Sequence, residues 1–222
     1  DDYLMVLGIE QKLPFGSPFD LYAFGDGNPA TTQMKMNVGP MPWFTSPKLV
    51  VHFFRPLTCA TMQLDHALFG RHVVLYHLHS VIWYLAFVAA VALLYRRMLS
   101  PGMALLALFI FALDEAHWFP AAWWSNRNAL VSATCALWGF LAYLRWREDR
   151  WFPGAPLSLV GFALGLLGGE TALGVVAFLA AYELFGPNPL PLTPFRDGRN
   201  RFAVLLPLGL LGLVYIVYYK WA

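Results

Sequence analysis

Along the chain, hydrophobic positions gather into long runs rather than the period-2 or period-3.6 spacing of half-buried elements. A membrane-crossing helix needs about 20 apolar residues to traverse about 30 Å of hydrocarbon. Val73–Tyr95 meets that length and is followed at once by Arg96 and Arg97. Met103–Leu113 is apolar but short and runs into Asp114, Glu115 and His117. Ala129–Leu144 is closed by Arg145, Arg147 and Arg150, and Phe202–Trp221 is the last run. Between them, Leu157–Phe185 is interrupted by Gly168, Gly169 and Glu170. Residues 1–72 read as a polar, loop-rich segment with turn signals at Pro14, Gly16, Pro18, Gly25, Gly27, Pro40, Pro42 and Pro47. Within it, Leu57–Leu68 reads as an interfacial helix.

The basic residues decide how to divide Leu157–Phe185. Short cytoplasmic loops carry an excess of Lys and Arg. With residues 1–72 outside, the first span descends to Arg96 and Arg97, the second rises to Asp114–His117, and the third descends to the Arg145–Arg150 cluster. One long helix over Leu157–Phe185 would then leave Arg196, Arg199 and Arg201 outside. Two half-length helices place them inside, so that groups of two, three and three bring eight of the 15 basic residues into cytoplasmic loops. The expected architecture is an all-α polytopic membrane protein: an extracytoplasmic domain over 1–72, then a helical domain over 73–222. Its spans fall near 73–95, 103–113, 129–144, 157–168, 171–185 and 202–221, six in all, with Gly186–Pro194 as a proline-rich linker.

Composition narrows the function classes. Hydrophobic residues make up 59% and charged residues 13%, against roughly 45–50% and 25% in soluble domains. So little charge cannot cover a water-facing surface, which argues against a soluble enzyme or a disordered tail. A net charge of +2 gives no field for nucleic acid. Two cysteines, Cys59 and Cys135, make no disulfide framework, and no Cys/His spacing suits a metal. The chain opens on Asp1-Asp2 without Met and stops at Lys220-Trp221-Ala222. A piece of a longer protein is therefore expected, with one helix before it and more after.

The charge that remains is concentrated. Asp1, Asp2, Asp114, Glu115, His117, Arg127 and Glu170 all fall at or near the same outer face, and ionisable groups at membrane edges are costly unless they face a cavity or partner. Asp1-Asp2-Tyr3, Phe54-Arg55-Pro56-Leu57-Thr58, Tyr76-His77-Leu78-His79, and Ala112-Leu113-Asp114-Glu115-Ala116-His117 followed by Ala122-Trp123-Trp124-Ser125-Asn126-Arg127 occur in that order. Together they resemble the GT-C fold glycosyltransferases, in particular the branch of protein O-mannosyltransferases and TMTC-like proteins. The likeness covers nearly the whole chain. It departs from the family pattern where Asp114-Glu115 replaces His-Pro, Asn128-Ala129 replaces Lys-Asp, and Gly169 stands in place of a Lys before Glu170.

The resemblance implies a GT-C-like bundle that transfers a sugar, with inversion, from a polyprenyl-phosphate donor to a protein or glycan acceptor on the outer face. It implies Asp1 or Asp2 as the base that takes the acceptor proton. The pair would also suit a divalent cation, Mg or Mn, through hard oxygen ligands. Arg55 reads equally as a fork-shaped phosphate ligand or as an anchor of the interfacial helix. Arg127 has the same two readings and is assigned to the site, whereas Trp118, Trp123 and Trp124 are assigned to an aromatic belt. Asp114, Glu115 and His117 read as substrate contacts or as caps of a short span; His77 and His79 read as packing or headgroup residues. Glu170, at a break between half-helices, reads as a cavity residue.

Two further readings stand beside the transferase. A non-catalytic GT-C-derived subunit packed in a larger membrane complex fits the missing Lys and the replaced His-Pro. A transporter or channel fits the broken helix at Glu170 but leaves the outer domain and the motif order unexplained. The expected setting is a bacterial inner membrane.

Overall fold

The computed structural model describes residues 2–13, 17–185 and 199–221, the side chains of 118, 199–205, 220 and 221 excepted. Asp1, the linker and Arg196 lie outside the described residues. Among these there are ten α-helices and one two-stranded antiparallel sheet.

The amino-terminal part is α1 (Asp2–Ile9), β1 (Ala23–Asp26), α2 (Pro29–Val38), β2 (Val50–His52) and α3 (Pro56–Phe69). The described residues are mostly helical, as the all-α expectation has it, and the small sheet is an addition to that class. Its strands are four and three residues long, too short for an alternating pattern to register in the sequence. Gly25 lies at the irregularity of the pairing, where a Cβ would come within 2.6 Å of the Leu49 carbonyl oxygen. Asn28 caps α2 by accepting from the Ala30 amide, Pro29 begins it, and Gly39 ends it at φ 104°. Lys35 pins α2 to β1 by donating to the carbonyls of Ala23 and Phe24 at 3.3 and 3.0 Å. Pro56 begins α3 and Gly70 closes it at φ 57°.

Apolar side chains from five segments bury together: Met5 of α1, Tyr22, Cys59 and Met62 of α3, Tyr76 and Trp124. Burial pushes the Cys59 thiol up to about 11, so it stays protonated and packs as a small apolar group. At the rim, Glu10 accepts from Arg71 at 2.9 and 3.0 Å and contacts Lys12 at 2.6 Å and His66 at 3.3 Å. Those donors hold its carboxyl down to about 2.

The remaining helices are α4 (Val73–Met98), α5 (Pro101–Leu113), α6 (Trp118–Ala122), α7 (Asn128–Asp149), α8 (Gly154–Gly168), α9 (Leu173–Phe185) and α10 (Arg199–Trp221). Among the described residues two segments are long and apolar enough to cross a membrane: α4, and Trp124–Asp149, which is α7 with the turn before it. A third qualifies if α5 and Glu115–Ala122, bent by 51°, count as one. The run Leu157–Phe185 is two helices, α8 and α9, joined through a tight turn at Glu170–Ala172. α7 continues past Leu144 through Asp149, because charged residues at a helix end are good helix formers once their side chains reach a partner or water.

Contacts fix the direction of each helix. Arg127, ahead of α7, meets Ser80 near the start of α4, while Arg97 at the end of α4 pairs with Asp149 at the end of α7 at 2.7 Å. The two long helices therefore run parallel. α5 returns, with Tyr84 of α4 donating to the Ala112 carbonyl at 2.7 Å. α8 runs back along α7, and α9 runs forward again, since Glu183 near its end meets Arg147.

α7 and α8 lie close because α8 presents Gly154, Gly161 and Gly168 seven residues apart, hence on one face. A Cβ on Gly161 would stand 2.6 Å from the Gly139 Cα and 2.9 Å from the Cys135 carbonyl oxygen. At Gly168 it would meet the Ser132 amide nitrogen at 2.9 Å. Small residues of this kind let two backbones approach and gain dispersion contact. Ser132 also repairs the α8–α9 break: its hydroxyl donates to the Gly169 carbonyl at 2.8 Å and accepts from the Ala172 amide at 2.9 Å. Thr58 of α3 donates to the Gly168 carbonyl at 2.8 Å. Carbonyls that a helix end leaves free are thus satisfied inside the protein.

Two predictions follow from this packing. Gly161→Ala should destabilise the detergent-solubilised protein by about 1–3 kcal/mol, since backbone cannot yield to the new methyl. Gly174→Ala, where the Cβ meets nothing within 4 Å, should be neutral or slightly stabilising; equal melting curves for the two variants would contradict the account. For Glu10 the sign is that of a depressed carboxyl: its stabilisation is present above the ordinary value of 4.5 and disappears as pH falls through about 2. The stability difference between wild type and Glu10→Gln should therefore shrink from pH 4.5 downwards and vanish below about 2, measured by tryptophan-fluorescence melting.

Candidate functional site

Where α3, α4 and the start of α7 meet, the protein buries a guanidinium. Arg127 has no exposed surface, and Asp65 of α3 has none either. Arg127 Nη1 donates to Asp65 Oδ2 at 2.5 Å, Nε to Ser80 Oγ at 3.0 Å and Nη2 to the Tyr76 carbonyl at 2.5 Å. Trp124 Nε1 donates to the same Asp65 oxygen at 3.0 Å, and His79 Nδ1 contacts Asp65 Oδ1. Since His79 Nε2 accepts from Trp83 Nε1 at 3.1 Å, its proton belongs on Nδ1, facing the carboxylate.

Three expectations change here. Arg127, assigned to the phosphate, is enclosed, with each guanidinium nitrogen engaged inside the protein; a phosphate could reach it only by parting these contacts. Trp124, assigned to an aromatic belt, is 1% exposed and packs 4.8 Å from the Tyr76 ring, because its N–H has Asp65 to bond. His79, read as packing or headgroup contact, belongs to the network.

A second charged pair lies nearby and is only half-buried. Arg55, preceding α3, donates through Nε and Nη2 to Glu170 Oε2 at 3.2 and 2.9 Å. Its guanidinium packs against two rings, with Cζ 4.7 Å from the centroid of Tyr22 and 4.4 Å from that of Phe53. The Oε1 oxygen of Glu170 has no hydrogen-bond partner. Tyr22 extends the cluster: its hydroxyl donates to the Ser125 carbonyl at 2.7 Å, and burial pushes its pKa up. Ser125 donates from its amide to Asp2 Oδ1 at 2.8 Å and from its hydroxyl to the same oxygen. Asp2, Ser125, Tyr22, Arg55 and Glu170 therefore form a connected set at one end of the bundle.

Beside that set opens an apolar groove of about 300 Å³ between α8 and α10. It is lined by Phe54, Ala163, Leu166, Leu211, Tyr215 and Tyr218 among others. Tyr215 donates to the Phe54 carbonyl at 3.2 Å, which closes the groove against the residue preceding Arg55.

Asp114, Glu115 and His117 stand elsewhere. They line an open cleft of about 890 Å³ with Tyr84 and Phe119, which shares no lining residue with the groove. His117 packs on Phe111 at 4.3 Å between ring centroids, and on Tyr84 and Phe87 at 6.1 Å each. That contact places it level with the middle of α4 rather than at its start. Asp114 accepts from the Ala116 amide at 2.8 Å, a turn contact that a cap makes.

Among the described residues no three His, Cys, Asp or Glu side chains converge as metal ligands. Of the Asp1–Asp2 pair, only Asp2 is among the described residues, and Ser125 donates to its Oδ1.

Sequence reading missed Asp65, Tyr22 and Ser125. The signal for Asp65 was present: with Thr58 and Met62 it repeats at i, i+4 and i+7 on one face of α3, so an acid lies on a buried stripe. Tyr22 and Ser125 carry no comparable mark, because only the tertiary fold brings them together.

No protein-family model, curated protein or solved structure matches the chain.

Removing one partner of a buried ion pair leaves an uncompensated charge and costs about 3–5 kcal/mol. Asp65→Ala should therefore unfold the protein at markedly lower denaturant, whereas Asp65→Leu combined with Arg127→Met should lie closer to wild type. A single variant as stable as wild type would contradict the assignment.

Proposed function

We propose that the protein is a membrane glycosyltransferase of the GT-C type. It moves a sugar from a polyprenyl-phosphate donor to a hydroxyl on a protein or glycan acceptor, with inversion. The observation that carries this reading is the half-buried Arg55–Glu170 pair at the head of the α8–α10 groove, linked to Asp2 through Tyr22 and Ser125. The groove suits an isoprenoid chain, and a guanidinium packed against two rings at its head can donate to the carrier phosphate.

In the reaction, the acceptor oxygen attacks the anomeric carbon while the bond from that carbon to the phosphate oxygen breaks. The polyprenyl phosphate leaves with the electron pair, stabilised by Arg55. The acceptor proton passes to a carboxylate of the Asp1–Asp2 pair; in Asp2, Ser125 fixes Oδ1 and so orients the side chain. The phosphate role rests with Arg55 rather than the enclosed Arg127. The reading sets the chain in a bacterial inner membrane with residues 1–72 outside.

One observation favours the alternative of a non-catalytic subunit: Arg55 is already neutralised by Glu170, so a donor phosphate must compete with a resident carboxylate. The same assay separates the two. Full-length protein in proteoliposomes should transfer radiolabelled sugar from a polyprenyl-phosphate donor. Asp2→Asn should lower kcat by about 10²–10⁴ if it is the general base. Arg55→Lys should raise KM for the donor, and Glu170→Gln should lower it by freeing the guanidinium. No transfer from any polyprenyl-phosphate sugar by folded protein would leave the subunit reading in place.

A further inference from the structure

The opposite end of the bundle carries a second groove, remote from the Arg55–Glu170 set. It has a volume of about 400 Å³ and lies between the ends of α4 and α7 and the start of α8. Its walls include Leu93, Trp138, Leu157 and Val160, and its mouth includes Arg145 and Trp151. Gly139 and Gly161 line it where the backbones of α7 and α8 come into contact.

The charges around this end do not cancel. Arg97 is taken by Glu148 and Asp149, and Arg147 by Glu183, whose oxygens it meets at 2.9 Å each. Arg96, Arg145 and Arg150 have no carboxylate within ion-pair distance among the described residues, and all three are exposed. Of these, only Arg145 belongs to the groove. Its guanidinium lies over the Trp151 ring, with Cζ 5.7 Å from the centroid, which positions it without neutralising it.

Along α7, Trp138, Leu141 and Arg145 recur at i, i+3 and i+7 and so share one face. The arginine and the exposed Trp138 ring are thus about 10 Å apart along the helix. Trp138 is fixed by its N–H, which donates to the Ala86 carbonyl at 3.2 Å. The groove is therefore charged at the helix ends and apolar inward. It lies between α4 and α7, both long and apolar enough to cross a membrane, and the basic ends of such helices stand at headgroup level.

We propose that this groove is a binding site for an anionic phospholipid of the adjoining leaflet. Its phosphate sits on Arg145, and one acyl chain lies between Leu93, Trp138, Leu157 and Val160. Basic pockets between membrane helices bind anionic headgroups because the surface potential and the guanidinium fork act together. The uncancelled cations select an anionic lipid over a zwitterionic one, and the apolar channel distinguishes a seated lipid from a diffuse counter-ion layer. The site is independent of the sugar-transfer reading.

The test is native mass spectrometry of the full chain released from nanodiscs holding equal phosphatidylglycerol and phosphatidylcholine. Wild type should retain phosphatidylglycerol in preference. Arg145→Gln should lower that preference about fivefold, as loss of one basic group near the surface implies. Val160→Trp, which fills the channel without touching a charge, should lower retention of the lipid itself. Both positions are exposed, and unchanged circular dichroism would confirm that the variants fold. Equal retention of the two lipids overturns the proposal, and so does an Arg96→Gln variant that loses as much preference as Arg145→Gln.

Discussion

The architecture turns on one buried guanidinium. An arginine keeps its charge in any protein environment, so Arg127, once enclosed, must be surrounded by acceptors. Asp65, Ser80 and the Tyr76 carbonyl supply them. Those three groups lie on two elements, so satisfying one side chain fastens α3 against α4 and the start of α7. With α3 fixed, its first turn reaches the break between α8 and α9, where Thr58 takes the Gly168 carbonyl and Arg55 meets Glu170. The half-buried Arg55–Glu170 pair therefore depends on the fully buried Arg127–Asp65 pair.

The sequence was informative about helices and much less so about partners. Long apolar runs marked α4 and α7, and Leu57–Leu68 marked most of α3, because hydrophobic length and pattern are local properties. Arginine positions suggested a break at Gly168-Gly169-Glu170, and two helices meet there. The sheet escaped notice because three- and four-residue strands carry no period. The largest change concerned Arg127: sequence places it at a helix start, where site and anchor look alike, and only the burial of Asp65 opposite it shows where its charge goes. Trp124 changed for the same reason. Asp114, Glu115 and His117 were placed at a boundary, but α5 is only 13 residues long, so its end reaches only the middle of α4.

The two ends of the bundle handle charge differently. Near α3, charges of both signs are paired in side-chain networks that reach from fully buried to half-exposed, and an apolar groove opens beside the half-exposed part. At the other end, some arginines pair with Glu148, Asp149 and Glu183, and the rest face outward around Trp151. Between the ends, glycines on α8 hold α7 close enough for hydroxyls such as Ser132 to serve backbone groups directly. A donor lipid at one end and a structural lipid at the other are compatible with that division, because the grooves lie on different helix pairs.

The most direct test of the central claim is photo-crosslinking with a polyprenyl phosphate that carries a benzophenone on its isoprenoid chain. The α8–α10 groove beside Arg55 should direct the label to peptides containing Leu211–Tyr218, and unlabelled polyprenyl phosphate should compete it away. Label spread evenly over the lipid-facing helices, or unaffected by competitor, would contradict the account.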